Sequence, residues 1–127
     1  MAFDMRFGDQ DPWGYPQLTL AANERPPDGA DGIQAEIEVT EGEGTLRVQF
    51  IETGGACYVC ELPYDFSQRG RQTLTAFFEK ASWGPHSRPD ADGKLVPTEV
   101  AGVMLGINAT RNSRVRLVVG GVRWVTY

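Results

Sequence analysis

The sequence predicts an all-β domain, an antiparallel β-sandwich. Alternating apolar and polar runs recur along the chain, and a period of two marks strands that are half-buried against a core. The 127 residues include 15 Gly and 8 Pro, which favours many turns between short strands over long helices. No segment has a periodicity that assigns a helix. A hydrophobic content of 41% in 127 residues suits one domain, residues 1–127, with a single core and no need of disulfide staples.

Phe3 to Phe7 reads as a first strand, and Asp9 to Pro16 as a turn-rich loop holding Trp13 and Tyr15. Leu18 to Ala22 is a short strand, followed by a loop from Glu24 to Gly32 that contains Pro26-Pro27. Ile33 to Thr40 alternates Ile33, Ala35, Ile37 and Val39 against Gln34, Glu36, Glu38 and Thr40, a clear half-buried strand. The turn Glu41-Gly42-Glu43-Gly44 joins it to Thr45 to Ile51, with Leu46, Val48 and Phe50 inward and Arg47 and Gln49 outward, forming a hairpin.

Gly54-Gly55 leads into the strand Cys57 to Leu62, and Pro63 to Gln72 is a connection. Leu74 to Glu79 reads as a strand with Leu74, Ala76 and Phe78 on one face and Thr75, Phe77 and Glu79 on the other. A long polar loop carries Trp83, His86, Asp90 and Asp92. After a turn at Pro97-Thr98-Glu99, Val100 to Asn108 sets Val103, Leu105 and Ile107 against Met104, Gly106 and Asn108. Asn112-Ser113 turns the chain into Arg114 to Val119, where Val115, Leu117 and Val119 oppose Arg114, Arg116 and Val118. Gly120-Gly121 bends it into a last strand, Val122 to Tyr127. Eight or nine strands at this spacing, with no internal repeat and no linker, specify a two-sheet jelly roll.

The formal net charge is -5 and the isoelectric point about 4.8, so the electrostatic footprint of a nucleic-acid or anionic-membrane partner is missing. There is no apolar run of about eighteen residues, and Met1-Ala2-Phe3-Asp4 lacks the basic-then-apolar order of an export signal. A domain excised from a larger secreted protein would lack one as well.

Cys57 and Cys60 have the Cys-x-x-Cys spacing of redox and zinc sites. On a strand, an offset of three puts the sulfurs on opposite faces with Cα atoms roughly 10 Å apart. A disulfide needs about 7 Å or less. Two unpaired structural thiols are expected.

The order of segments carries a resemblance. Its signposts are the Gly-rich turn at Gly42 to Gly44, Gly54-Gly55, a strand ending Glu61-Leu62-Pro63, Asp65-Phe66-Ser67, Leu74-Thr75-x-Phe77-Phe78, the Trp83 loop, Gly106-Ile107-Asn108 and Val115-Arg116-x-Val118-Val119. From Ile33 to Val125 this order resembles carbohydrate-binding modules of the galactose-binding-like jelly-roll type, family 11 and its relatives attached to plant-cell-wall hydrolases. Phe66 stands where that family's short turn has Trp, and the chain is shorter than typical members. The resemblance implies a non-catalytic module that binds β-1,4-linked glucan, as in cellulose, mixed-linkage glucan or xyloglucan. It also implies a covalently linked glycoside hydrolase domain and an extracellular setting in a secreted bacterial enzyme.

A pyranose has a relatively apolar C–H face and a rim of hydroxyls, so a sugar site needs exposed aromatic platforms flanked by hydrogen-bonding groups. The candidate platforms are Trp13, Tyr15, Tyr58, Phe77, Trp83 and Trp124. Trp83, in Ser82-Trp83-Gly84-Pro85, is a platform or packs at an edge. Trp124 reads rather as core, and Tyr58 shares a face with Cys60 and Leu62, so it is core unless the register shifts. Arg47, Gln49, Glu79, Asn108 and Arg116 are the candidate hydrogen-bonding neighbours, the alternative for Arg47, Gln49 and Arg116 being a solvated face with cross-strand charge pairs involving Glu79.

Asp90-Ala91-Asp92-Gly93 has two alternating carboxylates before a Gly, half of a calcium loop without its third acidic position or distal Glu, and reads first as an Asp-Gly turn. The resemblance implies structural calcium, and His86 with Asp90 or Asp92 is a weaker zinc candidate. Glycoside hydrolysis would need two carboxylates across a cleft, for which Glu61 and Glu79 are the available pair. No Ser-His-Asp order, nucleophile elbow or phosphate loop accompanies them.

Overall fold

Alternation resolves into two packed antiparallel sheets in the computed structural model, which describes residues 2–8, 13–14, 17–19, 22–84, 87–90 and 93–127. The strands are β1 (Ala2–Arg6), β2 (Trp13–Gly14), β3 (Gln17–Thr19), β4 (Gly32–Glu41), β5 (Gly44–Glu52), β6 (Cys57–Leu62), β7 (Gln72–Phe77), β8 (Ser82–Trp83), β9 (Val100–Ala109) and β10 (Arg114–Val125). Short 3-10 turns occur at Ala22–Glu24, Phe66–Gln68, Phe78–Lys80 and Pro97–Glu99. One sheet has four strands in the order β1-β10-β4-β7. The other has six, β2-β9-β5-β6-β8, with β3 also pairing β9. All pairings are antiparallel.

The inward residues of β4, β7 and β10 (Ile33, Ala35, Ile37, Val39, Leu74, Ala76, Val115, Leu117 and Val119) meet those of β5, β6 and β9 (Leu46, Val48, Phe50, Tyr58, Cys60, Leu62, Val103 and Ile107). Phe50, Ile37, Leu46 and Ile107 lose essentially all contact with water, and each such side chain contributes about 1.5–3 kcal/mol of burial free energy. Phe78 meets Phe50 edge-on at 4.9 Å between ring centroids. The Tyr64 hydroxyl accepts the N–H of Val39 at 3.1 Å and donates to the carbonyl of Gly70 at 2.9 Å, pinning the 63–72 connection to β4.

The predicted strands appear, and Ser82–Trp83 is a further short strand inside the long loop expected to carry Trp83; four other main differences stand out. Trp13–Gly14 forms a two-residue strand inside the expected loop, and β3 spans Gln17–Thr19 where Leu18 to Ala22 was expected, with Ala22 in a 3-10 turn and residues 20–21 outside the described ones. β7 stops at Phe77, so Phe78 and Glu79 belong to a 3-10 turn. The reason is packing: Phe78 turns in to reach Phe50, and its N–H is taken by the carbonyl of Asp31 at 2.9 Å. Gly120-Gly121 does not separate two strands. β10 runs through it with a register shift between Gly120 and Arg123, and Gly121 takes a φ of 58°, open to glycine at little cost. The extra residue inverts the alternation, turning Trp124 inward opposite Ile33 and onto Phe78 at 6.0 Å.

Cys57 and Cys60 are unbridged, Cys60 facing the core and Cys57 half-buried. Burial pushes both thiols up, away from the reactive thiolate.

Candidate functional site

The outer faces of the two sheets differ in kind. On the four-stranded sheet, Arg114 and Arg116 of β10 converge on Asp4 of β1 at 2.6 and 3.5 Å, Arg114 also reaches Glu41 at 3.6 Å, and Arg71 reaches Glu36 at 3.9 Å. The hydrogen bond from Arg114, helped by the charges of Arg114, Arg116 and Arg6, holds the Asp4 carboxyl down at about 2. Arg123 donates to Gln34 at 3.0 Å on the same sheet. On this surface these charges pair with one another across the strands.

On the six-stranded sheet the antiparallel register lines up Met104, Gln49 and Val59 with Ser82, then Gly106, Arg47 and Glu61, then Asn108 and Thr45, and at the other end Gly102, Ile51 and Cys57. Gly102 and Gly106 add no side chain to this face. Among these residues only Arg47 and Glu61 are charged. They pair at 3.7 Å, and the Nε of Arg47 is buried with no hydrogen-bond partner among the described residues. The rest of the Arg47 guanidinium, on a side chain 34% exposed, is what an outside acceptor meets.

At the β8 edge this face deepens into a groove of about 480 Å³ lined by Arg47, Val59, Glu61, Lys80, Ser82 and Trp83. The Trp83 ring is 43% exposed, and its indole N–H donates to the carbonyl of Arg88 at 3.0 Å, so the platform is fixed without being covered. The N–H of Gly84 bonds the carbonyl of Cys57 at 2.8 Å and holds the segment against β6.

Of the sequence candidates, Arg47, Gln49, Asn108 and Trp83 are thus brought to one face or its edge. The backbone of Trp13 pairs with Asn108, in the same sheet; the side chain of Trp13 and the whole of Tyr15 lie outside the described residues. Four candidates are elsewhere. Tyr58 is 3% exposed and belongs to the core, because its alternation partners are Cys60 and Leu62. Arg116 is on the opposite side of the sandwich, paired with Asp4 and not with Glu79. Phe77 and Glu79 line a separate groove beyond the end of β7, Phe77 lying 5.5 Å from Tyr127. Glu61 and Glu79 therefore line different grooves.

One constellation was missed by the sequence reading. Glu52 is 4% exposed, and its Oε2 accepts the N–H of Val96 at 2.9 Å. Burial pushes its carboxyl up to about 7; the Val96 hydrogen bond opposes this and the Asp90 carboxyl adds to it. Asp90 in turn accepts the hydroxyl of Tyr58. The signal was available, since Glu52 is the next inward position after Leu46, Val48 and Phe50.

Calcium takes six to eight oxygen ligands. The described residues bring it Glu52 and Asp90, with Asp90 already engaged by Tyr58, and no group of three or more His, Cys, Asp or Glu side chains comes together among them. His86 and Asp92 lie outside the described residues. With two of the three candidate ligands outside the described residues, the metal expectation is neither met nor overturned, and no step below runs through a metal.

No protein-family model matches the chain, and no curated protein matches it in sequence. Solved structures do. A family 11 carbohydrate-binding module of a cellulosomal cellulase of Clostridium thermocellum superposes with a TM-score of 0.59 at 12% identity, over 100% of this chain and 87% of that one. A second structure, a family 11 module from Clostridium thermocellum in complex with a β-1,3-1,4-mixed-linked tetrasaccharide, gives 0.60 at 11% identity over 99% and 88%. The chain has the jelly-roll fold of the family 11 carbohydrate-binding modules. At this identity the likeness to family 11 is one of fold, and the site has to be argued from its own residues.

Proposed function

We propose that the chain is a non-catalytic carbohydrate-binding module that holds a glucan-type polysaccharide along the outer face of its six-stranded sheet. The observation that carries this reading is the contrast between the two outer faces: one is laced with ion pairs, the other offers amides, hydroxyl and apolar groups, the part-exposed Arg47 guanidinium and a fixed, exposed Trp83. A neutral glucan presents C–H faces for the indole and hydroxyls for Arg47, Gln49 and Asn108, chemistry that fits this face and not the charged one. The tetrasaccharide complex of the similar family 11 module supports a glucan as the ligand class. The finer reading is a β-1,4-linked stretch of cellulose, mixed-linkage glucan or xyloglucan. Binding would concentrate a covalently linked glycoside hydrolase on its substrate outside the cell, in keeping with the cellulase context of the similar module. A non-catalytic role is supported by Glu61 and Glu79, which line separate grooves where hydrolysis needs two carboxylates across one cleft.

Affinity gel electrophoresis against soluble glucans, mannans, xylans and pectins tests the proposal. Mixed-linkage β-glucan is expected to retard the wild type, and Trp83→Ala to weaken retardation roughly tenfold, the loss of one stacking platform. Absence of retardation by every glycan overturns the reading. Reducing-sugar release that disappears in Glu79→Gln replaces it with an enzyme.

A further inference from the structure

A groove beyond the end of β7 is not used by the sheet face. It measures about 400 Å³ and is lined by Ala30, Asp31, Phe77, Phe78, Glu79, Pro97 and Tyr127. Tyr127 is 75% exposed, the most exposed of the large hydrophobic side chains among the described residues, yet it is held in place. Its N–H donates to Asp31 Oδ2 at 2.7 Å, its hydroxyl accepts from the Gln34 side chain at 3.4 Å, and its ring lies 5.5 Å from Phe77 at 46°. The Lys80 ammonium sits 5.7 Å from the centre of the Phe77 ring. The result is an oriented aromatic wall flanked by two carboxylates, Asp31 and Glu79. An aromatic wall supplies a stacking surface for a sugar C–H face, and carboxylates accept from vicinal hydroxyls.

The Phe78–Lys80 turn separates this groove from the one at β8: Glu79 lines the former and Lys80 the latter. Because β7 stops at Phe77, this turn gives the chain two recesses, one on each side.

We infer that the Tyr127–Phe77 groove is a second saccharide-binding site, with Tyr127 as its platform and Asp31 and Glu79 as acceptors for sugar hydroxyls. The inference rests on the saccharide-binding reading of the chain and makes it bivalent. Two sites that engage one polysaccharide raise its apparent affinity above that of either alone, with no new contacts.

Isothermal titration with a mixed-linkage β-glucan tetrasaccharide, on the wild type, Tyr127→Ala, Trp83→Ala and the double variant, tests it. Circular dichroism checks that each variant is folded. Two tetrasaccharides per wild-type chain are expected, with one lost in Tyr127→Ala, the other weakened roughly tenfold in Trp83→Ala, and both affected in the double variant. Glu79→Gln, a surface change, is expected to weaken the Tyr127 site alone. One site per chain, with Tyr127→Ala and Glu79→Gln matching the wild type, overturns the second site and leaves the sheet-face reading intact. No binding by the wild type overturns both.

Discussion

Glu52 is a buried carboxyl, and it makes stability depend on pH. An unfolded Glu titrates near its usual value of about 4.3, whereas burial among Tyr58, Asp90 and Val96 pushes the folded carboxyl up to about 7. The folded state therefore holds a proton that the unfolded state has released. Its stabilising contribution is complete below about pH 4.5 and is lost as pH rises through about 7. Denaturant midpoints at pH 5 and pH 8, taken in a chelator, are expected to fall toward the higher pH in the wild type and to vary less in Glu52→Gln. A wild-type midpoint that is flat or rises contradicts a protonated Glu52. Arg47 and Arg116 show what residue-level reading could not separate. Each is an outward Arg in an alternating strand, and period-two logic treats them alike. Only long-range strand pairing places Arg47 beside Glu61 on one sheet and Arg116 beside Asp4 on the other.

At the scale of elements, close backbone approach decides where β4 meets β7. A Cβ on Gly32 would lie 2.2 Å from the carbonyl oxygen of Ala76, a contact with rigid backbone. Gly32→Ala is expected to destabilise the fold by about 1–3 kcal/mol in chemical denaturation. Gly54→Ala, where a Cβ meets nothing within 4 Å, is expected to stay within about 0.5 kcal/mol of the wild type. Equal effects would contradict the described packing of β4 on β7. The alternation of β4, β5, β9 and β10 was legible in the sequence because each has one dry and one wet face. The end of β7 and the continuity of β10 were not. Phe78 continues the apolar alternation while its backbone leaves the strand, and Gly120-Gly121 looks like a turn while it serves as a bulge that redirects Trp124. In both places a contact distant in sequence overrides the local pattern.

For the whole molecule, the division of labour between sheets predicts how binding responds to salt. Most of the ion pairs lie on the four-stranded face, the exception on the binding face being Arg47–Glu61, and the proposed glucan is neutral, so affinity is expected to change by less than about twofold between low and high salt, conditions that screen exposed charges. A steep loss of affinity with salt, followed by titration calorimetry, would point to a charged ligand. The central claim is the location of binding, and the most direct measurement is an NMR titration of backbone amides and indole N–H groups with a mixed-linkage β-glucan oligosaccharide. The account predicts shifts clustered on Arg47, Gln49, Val59, Ser82, Trp83 and Met104, with a second group at Phe77, Glu79 and Tyr127 from the inferred second groove, and the amides of Asp4, Glu38 and Arg116 unmoved. Shifts confined to the four-stranded face, or none at saturating ligand, would contradict it.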